Sequence, residues 1–470
     1  MAEKKQTELM DKIVALCKRR GFIFQSSEIY GGINGFWDYG PAGAELKRNI
    51  KDAWWMDVVR KRTDVVGIDG TIITHPRVWE ASGHTTAFSD PMVDCRICKK
   101  RYRADQLCEE NGAKLIVIET GNAAEKKLQL PAGTRCPHCG SDQLTEPRPF
   151  NLMFESHAGP LQDDSSKVYL RPETAQVIFA QFNNVLSVSR QKIPFGIAQI
   201  GKAFRNEINP RNFTFRSREF EQMELEFFIK PGTDADWHQS WVNERLKWYE
   251  SIGLPKEKLS IYTYNKDELA HYASACVDVM FAFPFGVQEL EGIAARGNFD
   301  LSQHQKFSGK SMEYFDDDSK EKYIPHVVEP SAGVDRIALA LICAAYTEEE
   351  IAPGDTRIVM KFAPRIAPVK VAVFPLLRNK PPLVEKARQV FEMLQPHVTT
   401  EWDDRGNIGK RYRYQDEQGT PWCVTIDFDT LGEKGPELAD TVTMRDRDTM
   451  QQHRVKIADL IPIVSQKLRG

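Results

Sequence analysis

The chain has no long apolar run, no excess of one charge and no low-complexity tract, and each absence closes off a class of function. Its most apolar stretch, around residues 277–287, is broken by Asp278, Pro284 and Gly286 and falls short of the ~20 residues a membrane helix needs. The opening Met1-Ala-Glu-Lys-Lys-Gln lacks the apolar core of a signal peptide. A soluble, cytoplasmic protein with no membrane partner is expected. The net charge of -3 and pI near 6.4 give no global basic character, so DNA is not expected as a partner. Any RNA would have to be held by local patches. Nine cysteines is an odd number, and four of them form two C-x-x-C pairs. In a cytosolic chain this pattern points to metal before disulfide.

What is present suits a large folded protein. The chain has 470 residues, 41% hydrophobic and 27% charged, enough for roughly three units at about 150 residues each. Ile13, Val14, Leu16 and Cys17 predict a helix over 9–20. A Gly/aromatic loop at 30–41 precedes an amphipathic helix over 44–61 and an extended piece over 65–74 that ends at Pro76. The charged, cysteine-bearing residues 91–149 read as an insertion with a short strand at 115–118. Beyond Phe150, β-rich runs at 167–170, 195–200 and 219–229 alternate with turns. A helix with three tryptophans is predicted over 237–252, strands near 286–293 and 327–329, and a helix over 334–345. Short strands with few helices between them predict an antiparallel sheet. After Ala363-Pro-Arg-Ile-Ala-Pro368, strands at 370–374, 398–403 and 423–428 alternate with helices at 383–394 and 408–415. The expected fold is α+β. Residues 1–90 and 150–362 form a helix-flanked antiparallel sheet, 91–149 the Cys-rich insertion and 366–470 a separate α/β domain.

Two segments imitate nucleotide-binding signatures and fail on chemistry. Gly196-Ile-Ala-Gln-Ile-Gly201-Lys202 has the spacing of a phosphate-binding loop, but Ala203 stands where a hydroxyl should hold magnesium. Lys306-Phe-Ser-Gly-Lys-Ser311 is similar to the lysine loop of class I tRNA synthetases, but the partner His-Ile-Gly-His occurs nowhere. A strand and a charged surface loop are the better accounts. Denser chemistry sits at Phe204-Arg-Asn-Glu207 and Phe215-Arg-Ser-Arg-Glu-Phe-Glu-Gln-Met-Glu224, separated by a loop marked by Asn209-Pro210 and Asn212. Alternation puts Arg205 and Glu207 on one strand face, and Phe220, Gln222 and Glu224 on one face of the returning strand. Such a hairpin suits a nucleotide, with guanidiniums for phosphates, an aromatic ring for a base and carboxylates for amines. The alternative is a salt-bridged, exposed sheet face.

Phe-Arg-x-Glu, a loop, and Arg216 to Phe220 resemble motif 2 of class II aminoacyl-tRNA synthetases, and Gly333-Val-Asp-Arg336 resembles motif 3. The helix–strand–Pro76 unit is similar to motif 1, which usually builds a dimer interface. Within that class the chain is most similar to the dimeric glycyl-tRNA synthetase family. The likeness is carried by Trp37-Asp-Tyr-Gly-Pro41, Trp79-Glu-Ala-Ser-Gly-His84, Tyr102-Arg-Ala-Asp105, Asn151-Leu-Met-Phe154, Leu170-Arg-Pro-Glu-Thr-Ala-Gln176, Phe220-Glu-Gln-Met-Glu224, Glu329-Pro-Ser-Ala-Gly333 and Gly409-Lys-Arg-Tyr-Arg-Tyr-Gln-Asp-Glu417.

The resemblance implies a homodimeric ligase that activates glycine with ATP and Mg²⁺ and loads it onto tRNA(Gly). A non-catalytic binding or accessory subunit on the same scaffold is the alternative. Arg205, Glu207 and Arg336 would be the catalytic groups: Arg205 on the α-phosphate, Glu207 on the adenine amine, Arg336 with Arg216 on the outer phosphates and against adenine. ATP contacts would come from Arg205, Asn206, Glu207, Phe215, Arg216, Ser217, Arg218, Glu219, Phe220, Glu289, Leu290, Gly333, Val334, Asp335 and Arg336. Phe220 would stack the base, and Glu289 suits a bridging Mg²⁺. Glycine contacts would come from Arg103, Glu173 as the ammonium ligand, Phe220, Glu221, Gln222, Met223 and Glu224. Arg296 would take the carboxylate, and Glu329, Pro330, Ser331, Ala332 and Gly333 would complete the set. Selection of an amino acid with no side chain would come from filling the space of a Cβ. Glu291 stands where the family often has a bulkier apolar residue, and no role is assigned to it.

Cys95-x-x-Cys98 and Cys136-x-x-Cys139 have the ligand count of a closed tetrahedral Zn²⁺ site, with Cys108 and His138 as possible substitutes. Reduced, metal-free cysteines are the alternative. Lys410-Arg-Tyr-Arg-Tyr-Gln and Arg445-Asp-Arg-Asp448 would be a solvated face in isolation. The resemblance to a class II anticodon-binding domain turns them into candidates for base stacking.

Overall fold

The computed structural model describes residues 2–119, 126–270 and 272–469. Seven strands make the central sheet: β1 (Val65–Gly67), β2 (Phe195–Phe204), β3 (Glu219–Ile229), β4 (Leu259–Thr263), β5 (Ala275–Phe283), β6 (Gly286–Gly297) and β7 (His326–Gly333). Their order is β4-β5-β6-β7-β3-β2-β1, antiparallel throughout except where β1 runs parallel to β2. The composition of β3 explains its place. Met223, Leu225, Phe227 and Ile229 alternate onto one face, where they join the largest apolar core. The even-numbered residues carry polar groups to the other face until Phe228 enters a second apolar cluster with Phe179, Phe182 and Leu301. A strand two-sided in this way must sit mid-sheet with its polar half in a cleft.

The flanking helices of the sheet are α1 (Ala2–Arg20), α2 (Pro41–Trp55), α3 (Ala175–Ser189), α4 (Asp234–Ser251), α5 (Phe299–Ser308) and α6 (Val334–Ala345). Helix α2 opens on Pro41 at its first turn, buries Leu46, Ile50, Ala53 and Trp54, and runs into a π turn at Met56–Arg60. The predicted extended piece over 65–74 shrinks to the three residues of β1. The predicted helix over 237–252 and strand over 286–293 extend to α4 and β6. Helix α3, strands β4 and β5 and a hairpin of Tyr346–Ala352 with Asp355–Met360 were not anticipated. The first decoy lies within β2, and the second runs from the end of α5 into the following loop.

Residues 89–151 carry a three-stranded sheet of Ser89–Asp94, Arg101–Arg103 and Arg148–Asn151 and a hairpin of Ile116–Glu119 with Lys126–Gln129. A second five-stranded sheet lies after residue 370, ordered Thr400–Trp402, Val371–Pro375, Trp422–Ile426, Thr441–Asp446, Gln452–Lys456. Its own core is built around Val371, Val373, Leu383, Val424 and Val442.

In the helix Ile408–Gln418 several of the basic and aromatic residues have partners within the protein. Arg411 is buried and donates to the carbonyls of Pro375, Arg405, Asp404 and Gly406. Tyr412 bonds Thr425, Arg413 pairs with Asp355, and Arg20 lies over Tyr414. Arg445 and Arg447 are buried too, on Asp416 and on the carbonyls of Gly419 and Phe362. The helix is a strut between the two sheets' bodies.

Candidate active site

The link between β2 and β3, residues 205–218, folds back over the open end of the sheet and is pinned by its backbone. Arg205 N donates to Arg218 O at 2.9 Å, Asn206 N to Leu152 O at 2.7 Å and Arg218 N to Gly35 O at 2.7 Å. The cleft beneath it, about 700 Å³ of empty space, is lined by Arg205, Glu207, Thr214, Phe215, Arg216, Ser217, Phe220, Gln222, Glu289, Leu290, Ser331, Gly333, Asp335 and Arg336. Residues from three distant stretches therefore meet on one surface.

Each cation in the cleft has an aromatic or acidic neighbour. Arg205 Nε donates to Pro172 O at 3.0 Å, and its guanidinium lies 5.4 Å from the Phe220 ring centre. Arg336 sits 4.5 Å over the Phe215 ring and 3.1 Å from Glu289 Oε2. That guanidinium holds the Glu289 carboxyl below its ordinary range, against the effect of burial. Arg216 Nη1 and Glu207 Oε2 stand 3.7 Å apart, both buried and without a hydrogen-bond partner among the described residues. Buried polar atoms are costly when unpaired. The pair therefore suits a ligand that brings an acceptor to the guanidinium and an N–H to the carboxylate.

Gln222 joins this cleft to an acidic pocket, its Nε2 donating to Glu224 at 3.0 Å. Glu224 also receives Thr174 N at 2.8 Å and Ser331 Oγ at 2.7 Å. Burial and then the neighbouring Glu173 raise its pKa. Glu173 sits 3.3 Å from His84 Nε2 and 3.0 Å from Gln176 Nε2. Burial opposes its ionisation, but His84, Arg296 and Gln176 outweigh that and hold its pKa well below the ordinary range. The loop bearing Glu173 is braced by Arg171, buried among the carbonyls of Gly70, Thr71 and Lys202. Gly201 makes room for it, since a Cβ there would stand 2.1 Å from Arg171 Nη2.

Several expected contacts point elsewhere. Glu221 turns to the opposite face, where Lys47 and Lys51 each hold it at 2.8 Å, and Met223, Val334 and Ala332 lie in the core beside it. Asp335 borders the cleft but is taken up by Lys47 at 2.9 Å and the backbone N of Glu221 at 2.7 Å. Arg218 donates to the carbonyls of Glu207 and Asn34, and Glu219 pairs with Lys202. Arg103 is held by Asp90 and Asp105, on the Glu207 side of the site. Pro330 is buried in β7. Arg296 already has acidic partners: Nε and Nη2 bind Asp300 at 2.8 and 2.9 Å, and Nη1 binds Glu329 at 2.6 Å. Burial pushes Glu329 up to about 8, with Arg296 opposing it.

Residues 154–346 match the family model described as the tRNA synthetase class II core domain (G, H, P, S and T), and residues 370–467 match the anticodon binding domain. The glycine–tRNA ligase of Ruminiclostridium cellulolyticum is 51% identical over 462 residues, 97% of this chain and 98% of its own length. That of Clostridium kluyveri is 51% identical over 465 residues, 98% of each chain. The Thermus thermophilus protein of the same name is 48% identical over 500 residues, 98% of this chain and 99% of its own. The chain belongs to the glycine–tRNA ligase family. It is a class II aminoacyl-tRNA synthetase, and among its described residues no helix is long and apolar enough to cross a membrane.

Family membership leaves the roles of particular side chains to the geometry. His84, Thr174, Gln176 and Asp300 hold the acidic pocket together, and sequence reasoning gave none of them a part. His84, Thr174 and Gln176 lie within stretches that carry the family likeness, and Asp300 is a carboxylate four residues after Arg296 at the start of a helix. Glu291, left without a role, is bonded by Arg245 at 2.7 and 3.0 Å, with both side chains almost fully buried. It ties α4 to β6.

Apart from the cleft, the sulfurs of Cys95, Cys98, Cys136 and Cys139 all lie within 4.8 Å of one another, a group able to hold a metal ion. Cys108 is packed with the small core of Val93 and Leu107 and takes no part, nor does His138.

Proposed function

We propose that the cleft carries out both steps of glycine transfer: a glycine carboxylate oxygen attacks the α-phosphorus of ATP as pyrophosphate leaves, and the terminal ribose hydroxyl of tRNA(Gly) then takes the glycyl group as AMP leaves. The observation that carries this reading is the continuity of the cleft. The Arg216–Glu207 ion pair lies at one end, and Glu173, Glu224 and Ser331 at the other, with Gln222 between them. Arg205 faces the α-phosphate between the two ends, Phe220 stacks adenine, and Glu173 takes the ammonium. Arg216 and Arg336 hold the outer phosphates, and Glu289, kept as a carboxylate beside Arg336, would hold Mg²⁺, which would neutralise phosphate charge. Arg205→Ala should lower kcat for exchange by about 10²–10³-fold, since a preorganised donor to developing charge contributes about 2.7–4 kcal/mol.

The thiolate cluster takes Zn²⁺ on this reading. With Zn–S near 2.3 Å, a tetrahedron has edges of about 3.8 Å. The Cys95 and Cys139 sulfurs are 3.6 Å apart, and those of Cys98 and Cys136 3.7 Å. Residues 1–90 with 150–362 form the catalytic domain, 91–149 the insertion and 366–470 the anticodon-binding domain. Two copies pair in the cytoplasm across the motif 1 face, where Ile72 and Ile73 are exposed.

ATP–pyrophosphate exchange tests the reaction. Exchange with glycine and not with alanine or serine is expected. Exchange with none of the three would favour a non-catalytic binding subunit.

A further inference from the structure

Beneath the glycine pocket lies a carboxyl with no part in the scheme above. Glu226 follows Glu224 by two residues on β3, so both face the cleft side of the sheet. Glu226 is fully buried, and neither of its oxygens has a hydrogen-bond partner among the described residues. The pairing of β3 with β7, Glu224↔Ser331 and Phe227↔Val328, sets Glu226 directly across from Glu329. Cross-strand neighbours on one face stand about 4.5–5.5 Å apart at Cβ, within reach of two carboxyl groups. The same ladder already shows such a contact, Ser331 Oγ to Glu224 at 2.7 Å.

Among the described residues no hydrogen-bond donor reaches Glu226. On its other flank β2 presents Ile197, and beyond it Phe228 closes into the apolar cluster. The charged groups that act on it are Glu329 first, then Arg296, Glu224 and Asp300. Arg296 spends three of its N–H groups on Asp300 and Glu329. With Glu173, the pocket floor gathers five carboxyls; His84 acts on Glu173 and Arg205 on Glu224, and Arg296 is the cation acting on Glu226. Two opposed carboxylates in a dry site cannot both ionise cheaply, and the one without a donor keeps the proton.

We infer that Glu226 is a positioning residue of the glycine pocket: its un-ionised carboxyl donates a hydrogen bond to Glu329 and fixes that side chain, so that the pair carries one negative charge rather than two. This deepens the glycine-activation reading and rests on it. Burial, with Glu329 adding to it, pushes the Glu226 carboxyl far above the ordinary range. The proton belongs to the pair and is lost only on the alkaline side. There the two carboxylates repel and Glu329 leaves its position.

The test is KM for glycine in ATP–pyrophosphate exchange, from about pH 6 to about pH 9, for the full chain and for Glu226→Gln. Glutamine keeps the shape and a permanent donor, so the two KM values should agree at neutral pH. Toward the alkaline end wild-type KM should rise by about tenfold relative to the variant, the substrate's own amine titration being common to both. A KM ratio constant across the range overturns the inference. So does a variant KM raised about a hundredfold at neutral pH, which would make Glu226 a needed charge. Should the variant fail to fold, infrared spectra of wild-type protein with isotopically labelled glutamate must show a buried, un-ionised carboxyl at neutral pH, and its absence overturns the proposal. Wild-type protein that exchanges with no amino acid would instead overturn the functional reading itself.

Discussion

Lys47 decides the place of two carboxylates that a motif, taken as a stretch, assigns to ligands. It lies in α2, over the Tyr39 ring at 4.2 Å, and bonds both Glu221 and Asp335. Alternation along β3 already separated Glu221 from Phe220, Gln222 and Glu224. The resemblance covered the whole run and so swept Glu221 and Met223 in with the others. The partner that claims Glu221 stands 174 residues earlier in the chain, where no local pattern can reveal it. Lys47→Met leaves Asp335 buried without its cation and Glu221 with Lys51 alone, and should cost about 3–5 kcal/mol at neutral pH. Burial alone would raise the Glu221 carboxyl, but Lys47 and Lys51 outweigh it and lower it. A depressed folded pKa contributes stability above the unfolded value of about 4.3, and that contribution is lost as pH falls through the folded one. In urea unfolding, the gap between wild type and variant should therefore narrow in acid. A gap of the same size at both pH values would remove the ion pair as its source.

Elements were legible where one face is apolar at a regular period. The β2/β3 hairpin, α4, α6 and the helix Pro381–Leu394 all follow such patterns, and their errors are confined to ends. Helix α3 and strand β5 are apolar on more than one side and carry no clear period, so they passed unnoticed. The partners of the helix Ile408–Gln418 were not legible: carbonyls and an acid from other elements take Arg411 and Arg413. The cysteine cluster was the opposite case, because C-x-x-C spacing encodes its own geometry. It also touches the site: Tyr102 Oη lies 3.3 Å from Cys136 Sγ, and the adjoining Arg103 reaches Asp90 beside Glu207. Cys95→Ser should lose about one metal ion per chain and expose residues 89–151 to proteolysis, while the central sheet stays folded. Metal analysis with limited proteolysis decides it, and a metal-free wild type with the same protection would end the zinc assignment.

At the scale of the whole molecule, Asp416 is where the catalytic sheet's body and the C-terminal body meet. It is almost fully buried, accepts Arg445 at 2.8 and 3.1 Å from its own side, and accepts Arg357 at 3.1 Å from the hairpin Asp355–Met360. Arg357 also donates to Arg447 O at 2.9 Å, and Arg19 and Arg20 of α1 pair with Glu417 on the same helix. A seam of buried, directional charge fixes orientation more tightly than an apolar contact that can slide. On the reaction proposed above, the adenylate step needs only the cleft, whereas charging needs one RNA held at the cleft and at the C-terminal body together. Asp416→Ala strands the buried Arg445 and leaves Arg357 with Glu349 as its acid, and should loosen the seam without touching the cleft. The kcat/KM for tRNA should then fall by about tenfold or more, equivalent to about 1.4 kcal/mol, while glycine-dependent exchange is unchanged. Parallel measurement of charging and exchange on one preparation distinguishes the cases. Equal losses in both would mean that Asp416 supports the fold as a whole and has no separate part in setting the two bodies against each other.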